Sequence, residues 1–165
     1  MRILVVGDGK LGHTLAEHLA KEGHDVVIVD RSDEVLQRSE DTLDVMCVKG
    51  NGANATTLMD AGADKADIII AATAGDEINM LCCLIAKRLG AKYAIARIRD
   101  PDFNESLNIL QRELDIDMAI NPERATAQEI SRLIRFPFAN NIESFAKGRV
   151  EMVEFRAQEK DVVVG

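Results

Sequence analysis

Six short apolar runs recur along the first two thirds of the chain, and each is followed by a segment with helical periodicity. The runs cover residues 3–6, 26–29, 45–48, 68–72, 93–96 and 117–120. Strands that alternate with helices form parallel sheets, because each return to the next strand needs a crossover. The pattern therefore predicts an α/β, Rossmann-type doubly wound parallel six-stranded sheet with helices on both faces.

Helices are predicted between these strands from apolar residues spaced three or four apart, as in Leu11, Leu15 and Leu19. A short helix near residues 55–61 has Gly62 as its C-terminal stop. A further helix is predicted from Phe103 to Leu114, and Asn121-Pro122 indicates the start of another. The remaining predicted helices cover 33–41 and 78–89.

Composition narrows the class of protein. The 165 residues suit one domain with a sizeable core; only 4% are aromatic and none is Trp, which predicts an aliphatic core. The net charge of −8 argues against nucleic acid as a partner. Three cysteines without regular spacing predict buried thiols in a reducing compartment. No apolar stretch is long enough to span a membrane, so we expect a cytoplasmic protein.

The segment Gly7-Asp8-Gly9-Lys10-Leu11-Gly12 matches G-x-G-x-x-G, and it follows a predicted strand and opens a predicted helix. In this motif the first glycine permits a tight turn, the second admits a pyrophosphate, and the third lets the helix pack on the strand. The free N–H groups and positive dipole end of the helix then hold the phosphates. The alternative is a glycine-rich turn that binds nothing.

Asp30 ends the second strand at close to the spacing expected for the acidic residue that binds the adenosine ribose. Its carboxylate would accept hydrogen bonds from the ribose hydroxyls and repel a 2′-phosphate, which favours NAD over NADP. Arg31 follows and would soften that preference. The alternative is a solvated acid at the end of a strand.

Other candidate contacts follow later strands, where open α/β sheets bind ligands. Segments 50–52 and 72–77 are turns that either flank a ligand or serve only as turns, and Thr73 is placed to cap a helix or touch a phosphate. Arg97 and Arg99 would share one face if the fifth strand continued, and one guanidinium near a pyrophosphate would balance its charge. The alternative is a solvated pair of arginines.

Residues for catalysis are missing from the places where a dehydrogenase needs them. His13, His18 and His24 all lie on or just beyond the first helix, and no zinc-type Cys/His spacing or G-x-S-x-G turn is present. We therefore expect no enzyme. An NAD-dependent oxidoreductase, or its cofactor-binding domain, remains the alternative, and an assembly module with a vestigial site is a third.

The pattern changes after Phe136-Pro137. Residues 150–155 are predicted to form an isolated strand, and 162–164 are a terminal apolar run. Such short apolar segments cannot form a hydrophobic core on their own. The sequence therefore predicts a nucleotide-binding domain over 1–136, followed at 137–165 by a linker and the start of a missing C-terminal lobe or a docking arm.

These blocks together resemble the N-terminal lobe of RCK (KTN, TrkA-N) domains, and in particular the regulatory subunits of bacterial and archaeal Trk/Ktr potassium uptake systems. The likeness covers roughly residues 1 to 136. The segments that carry it are 5–12, 29–30, 50–51, 58–63, 66–67, 72–73, 76–77, 79–80, 95–101 and 121–122.

The resemblance implies a cytoplasmic subunit, peripheral to the inner face of the cell membrane, that gates a membrane potassium-translocating partner. Family members bind NAD, NADH, ATP or ADP and assemble as dimers or larger rings, so a dimer or tetramer is expected. Many members carry Asp where this chain has Asn51. Motif and resemblance together predict cofactor contacts at Gly7, Asp8, Gly9, Lys10, Leu11, Gly12, Asp30, Arg31, Asn51, Thr73, Ala74, Glu77 and Arg97.

Overall fold

The computed structural model describes residues 1–103, 105–145 and 149–157. Six parallel strands form one sheet in the order β3-β2-β1-β4-β5-β6. The strands are β1 Arg2–Val6, β2 Asp25–Asp30, β3 Met46–Lys49, β4 Ile68–Ala71, β5 Tyr93–Arg97 and β6 Met118–Ile120. The predicted doubly wound α/β sheet is confirmed. Since β1 pairs with both β2 and β4, the strand order reverses at β1, and a crevice opens there at the carboxyl edge.

Helices connect the strands, and their bounds are close to those predicted. They are α1 Lys10–Lys21, α2 Asp33–Thr42, α3 Ala55–Asp60, α4 Asp76–Leu89, α5 Leu107–Glu113 and α6 Pro122–Arg135. Gly62 follows α3 with a φ of 83°, in the left-handed conformation expected at a helix stop. Pro122 is the first residue of α6, as predicted.

The helix predicted from Phe103 was wrong at its start. Pro101–Phe103 is a 3-10 turn, and α5 begins only at Leu107. The Asp100 carboxylate accepts the N–H of Asp102 at 3.0 Å, which stabilises the turn. Phe103 fitted the helical spacing because it packs against the same core as Leu107 and Leu110.

The core lies on both faces of the sheet, because successive strand residues point to opposite faces. On one face Leu4, Val27 and Ile69 pack with residues of α3 and α4, among them Leu58 and Cys83. On the other face Ile3, Val5 and Ile28 pack against Ala16 of α1 and Leu36 of α2. The central strands are therefore buried on both sides, as an aliphatic sequence requires.

The chain divides into two compact units, Met1–Asn121 and a second that begins at Pro122. The second contains α6 and two antiparallel strands, β7 Ala139–Phe145 and β8 Val150–Phe155. The prediction of an isolated strand at 150–155 was wrong, because β7 pairs with it. The apolar run at 162–164 lies outside the described residues. The domain boundary at residue 136 stays a prediction.

Across the described parts of the chain, no helix is both long enough and apolar enough to cross a membrane.

Candidate functional site

The glycine loop joins β1 to α1, and two of its glycines are required by the protein itself. Gly7 has a φ of 98°, which side chains rarely adopt, and a Cβ there would lie 2.8 Å from the Thr73 backbone nitrogen. A Cβ on Gly12 would overlap the carbonyl oxygen of Gly7. These two positions are therefore explained by the turn and by the close packing of α1 on β1, with or without a ligand.

Gly9 is different, because no atom of the described residues accounts for it. A Cβ there would meet none of them within 4 Å, and its φ of −76° is open to any residue. Gly9 is the N-cap of α1, yet it supplies no side chain to accept the first N–H groups of the helix. The exposed start of α1 is thus left both unobstructed and uncapped, as the close approach of an anion requires.

Asp30 ends β2 beside this loop, and its carboxylate is already fixed in place. Its Oδ2 accepts the N–H of Asp8 at 2.8 Å, and its Oδ1 accepts the N–H of Ser32 at 2.9 Å. The residue is half-buried. Each oxygen keeps a further lone pair, so the carboxylate is oriented and still able to accept hydrogen bonds from a diol.

A cavity of about 270 Å³ lies at the carboxyl edge where the strand order reverses. It brings together residues from the ends of β1, β2, β3 and β4. Among the predicted contacts it includes Gly7, Asp30, Arg31, Asn51, Thr73 and Ala74. Val6, Val29 and Ile78 supply apolar wall, and Gly50, Gly52 and Gly75 complete the lining. One cavity therefore has a carboxylate, backbone amides and an aliphatic surface.

The turn after β3 is packed tightly under this cavity. A Cβ on Gly52 would overlap Val6, and one on Gly50 would lie 2.5 Å from Thr57 Cγ2. Asn51, between them, is exposed, and its Oδ1 accepts the N–H of Ala53 at 3.1 Å. The two glycines thus serve the fold, while Asn51 is presented at the surface of the cavity.

Asn79 organises the turn after β4, and sequence reasoning did not identify it as a site residue. It is fully buried; its Oδ1 accepts the Thr73 N–H at 2.8 Å and the Thr73 hydroxyl at 2.7 Å. Its Nδ2 donates to the Arg97 carbonyl at 2.9 Å. The available signal was a polar amide within the otherwise apolar stripe of α4.

Several predicted contacts do not line this cavity. Asp8, Gly9 and Lys10 line a separate groove of about 710 Å³ between α1 and α2. Glu77 is exposed and lines a neighbouring cavity of about 340 Å³. Leu11, Gly12 and Arg97 line none of these three spaces. Gly12 acts through packing, and Arg97 is connected to the turn after β4 through its carbonyl.

Arg97 and Arg99 do not share a strand face, because β5 ends at Arg97. Arg99 is turned to Asp76 instead: its N–H donates to Asp76 Oδ2 at 2.7 Å, and its guanidinium contacts Asp76 Oδ1 and the Ala74 carbonyl. Burial raises the pKa of the Asp76 carboxyl, but the N–H groups of Asp100 and Arg99 outweigh burial and hold that pKa below its ordinary value.

The cysteines are not poised as nucleophiles. Burial raises the pKa of both Cys82 and Cys83 to about 12, and that of Cys47 to about 11. A thiol is reactive as the thiolate, so all three are protonated at neutral pH. Within residues 1–103, 105–145 and 149–157, no three His, Cys, Asp or Glu side chains cluster as metal ligands.

Solved structures share this backbone. The TrkA-N domain of the inner membrane protein ybaL from Escherichia coli superposes with a TM-score of 0.71 at 21% identity, over 81% of this chain and 96% of that one. The GsuK channel bound to NAD superposes with a TM-score of 0.61 at 24% identity, over 72% of this chain and 21% of that one. At these identities the likeness supports the fold.

Sequence relatives are closer. The chain is 39% identical over 159 residues to a Trk system potassium uptake protein TrkA homolog of Archaeoglobus fulgidus, covering 96% of this chain and 36% of the relative. It is 37% identical over 168 residues to the Trk system potassium uptake protein TrkA of Haemophilus influenzae, covering all of this chain and 37% of that one. The chain thus spans little more than a third of the length of these two relatives.

The family model of the TrkA-N domain matches residues 3–122. That span runs from the first strand to the start of α6 and contains the glycine loop, Asp30 and the cavity. The family match, together with relatives that are similar along nearly all of this chain, leads to one assignment: the chain belongs to the TrkA-N domain family.

Proposed function

We propose that this domain binds an adenine dinucleotide of the NAD class at the carboxyl edge of its sheet and senses it as a regulatory module. The observation that carries the proposal is Gly9: in the part of the chain that the structure describes, no contact needs a glycine there, yet that position is the N-cap of α1. A nucleotide phosphate held close to the backbone at the start of α1 explains why a residue without a side chain stands there.

Asp30 defines the other end of the ligand. Its carboxylate, held by the N–H groups of Asp8 and Ser32, accepts the two adenosine ribose hydroxyls. A 2′-phosphate would place a second anion beside it, so NAD and NADH are favoured over their phosphorylated forms. Val6, Val29 and Ile78 offer the aliphatic surface that a flat adenine prefers.

A sensing role fits this cavity better than turnover. The thiols are held protonated, and the Asp76 carboxylate is engaged by Arg99 and Asp100, so neither kind of group is offered to a substrate. The relatives are named for potassium uptake, and the GsuK channel of similar fold was solved bound to NAD.

The chain would accordingly be one part of a longer cytoplasmic subunit at the inner face of the membrane. In that subunit, copies of the domain assemble as a dimer or tetramer, and nucleotide exchange biases a membrane potassium-translocating partner. The ligand shifts the partner only as far as it binds the two states of the assembly with different affinities.

Calorimetric titration of the purified chain with NADH, NAD, NADPH, ATP and ADP tests the proposal. We expect micromolar binding of NADH or NAD that is lost in Asp30→Ala. Asp25→Ala is the matched control, because Asp25 lies at the opposite end of the same strand and its side chain is 63% exposed. Failure of folded protein to bind any of the five would refute nucleotide sensing.

Two other outcomes would change the proposal in defined ways. Preference for ATP or ADP would retain the adenosine site and change the signal from redox to energy state. Oxidation or reduction of the nicotinamide, followed by absorbance with small alcohols and acids as trial substrates, would favour an oxidoreductase instead.

A further inference from the structure

Asp8 lies in the glycine loop, but its carboxylate is turned towards α2 rather than into the nucleotide cavity. The residue is 4% exposed, and its Oδ2 accepts the hydroxyl proton of Ser39 at 2.6 Å. Ser39 lies on α2 and is fully buried. A buried carboxylate is unfavourable unless hydrogen bonds satisfy it, so this contact constrains where Asp8 can lie.

His13 on α1 completes the contact. Its Nδ1 lies 2.9 Å from Ser39 Oγ and 3.4 Å from Asp8 Oδ1. Because the Ser39 proton is directed at Asp8, the Ser39 oxygen accepts from His13, which requires a proton on Nδ1. His13 on α1 therefore donates to Ser39 on α2, and Ser39 in turn donates to Oδ2 of the buried Asp8 carboxylate.

The backbone of Asp8 makes the second connection. Its N–H donates to Asp30 Oδ2 at 2.8 Å, so Asp8 is held through its side chain by Ser39 and through its backbone by Asp30. Displacement of the Asp8 side chain would carry this N–H away from Asp30. The Asp30 carboxylate would then keep the hydrogen bond from the Ser32 N–H and lose the one from the Asp8 N–H, so only one of the two bonds that orient it would remain.

We propose that Ser39 is a positioning residue for nucleotide discrimination, a role that rests on the proposed dinucleotide site. By fixing Asp8, Ser39 keeps Asp30 aligned to accept a ribose diol and to oppose a 2′-phosphate. Ser39 touches no part of the ligand in this arrangement. It acts through its hydrogen bond to the Asp8 side chain, and Asp8 acts on Asp30 through its backbone N–H.

The test is the ratio of NADH to NADPH affinity, measured by calorimetry on the chain and on Ser39→Ala. We expect the variant to bind NADH about tenfold more weakly, the size expected for loss of one hydrogen bond to a charged group, and to discriminate less against NADPH. Thr42→Ala is the matched control, since that hydroxyl lies on the same helix and donates to the Arg38 carbonyl. It should leave both affinities unchanged.

A purely structural role of Ser39 would lower stability without moving the affinity ratio of the folded fraction. Asp8→Ala and the double variant complete a cycle: if Ser39 acts through Asp8, the double variant discriminates as Asp8→Ala does. Should Ser39→Ala not fold, Ser39→Cys keeps the side-chain shape with a weak donor and should show a smaller fall in the ratio.

An unchanged ratio in folded Ser39→Ala or Ser39→Cys, or additive effects in the cycle, would overturn the role of Ser39. Absence of nucleotide binding by the unsubstituted chain would instead refute the proposed function, so the two failures are distinguishable.

Discussion

The four helices that follow β1 to β4 begin at the same edge of the sheet, yet they begin in two different ways. At α2, the Ser32 hydroxyl accepts the Val35 N–H at 3.4 Å. At α3, the side-chain carbonyl of Asn54 accepts the N–H groups of Thr56 and Thr57. At α1 and α4 the N-cap is a glycine, Gly9 or Gly75, with no side-chain cap.

The difference separates helix starts that a side chain caps from those whose glycine N-cap has no side chain to do so. First-turn N–H groups have no acceptor within a helix, and a capping side chain or a bound anion can supply one. The helices with glycine caps follow β1 and β4, the two central strands at the point where strand order reverses. Ligands of open α/β sheets bind at that point.

The largest expected effect comes from the glycine that the fold itself needs. Gly12→Ala places a Cβ onto the Gly7 carbonyl oxygen, so α1 must move away from β1. We expect the free energy of unfolding to fall by about 3 kcal/mol, in the range of severe overpacking, as measured by urea denaturation. A loss below about 0.5 kcal/mol would show that the loop relaxes around the added Cβ. Close packing of α1 on β1 would then not explain the glycine at position 12.

Gly9→Ala is the opposite case and should show the next largest effect. The added Cβ meets no atom of residues 1–103, 105–145 or 149–157, so the urea midpoint should be nearly unchanged. It would intrude where a phosphate approaches, and we expect NADH affinity to fall by about tenfold or more, equivalent to about 1.4 kcal/mol. Unchanged affinity in this variant would mean that the start of α1 does not hold the ligand.

Asn54→Ala tests the same comparison on a helix whose start is capped by a side chain. Removing the Asn54 carbonyl leaves the N–H groups of Thr56 and Thr57 without their acceptor. We expect a loss of about 1 kcal/mol in unfolding free energy, typical of an N-cap, with nucleotide affinity retained. A concurrent loss of NADH binding would contradict the assignment of α3 to the fold alone.

The features that sequence predicted well are local ones. The glycine turn between β1 and α1, the end of β2 at Asp30 and the six strands were predicted because their signals lie within a few neighbouring residues. The structure places Lys10 and Glu77 outside the cavity at the carboxyl edge, because consecutive helix residues point about 100° apart and closeness to a motif does not bring a side chain to it; their role as contacts stays a prediction.

Contacts between distant segments account for the rest. Ser39 reaches Asp8 across 31 positions, and Asn79 reaches Arg97 across 18, so neither contact can be read from neighbouring residues. The strand β7 was missed because Asn, Glu and Ser interrupt its apolar residues, and its pairing with β8 supplies the order that its own sequence does not indicate.

Gly9→Ser should give a small change in stability, with opposite signs for folding and binding. Serine at an N-cap accepts a first-turn N–H, and the glycine it replaces is the next best cap, so we expect a gain of only a few tenths of a kcal/mol in unfolding free energy. The same hydroxyl would occupy the N–H groups that a phosphate needs, and NADH affinity should fall. Denaturation without ligand and calorimetry with NADH separate the two effects. If both stability and affinity rose, the uncapped start of α1 would not be a feature kept open for an anion, and the contrast with α2 and α3 would reflect only the tight turn after β1.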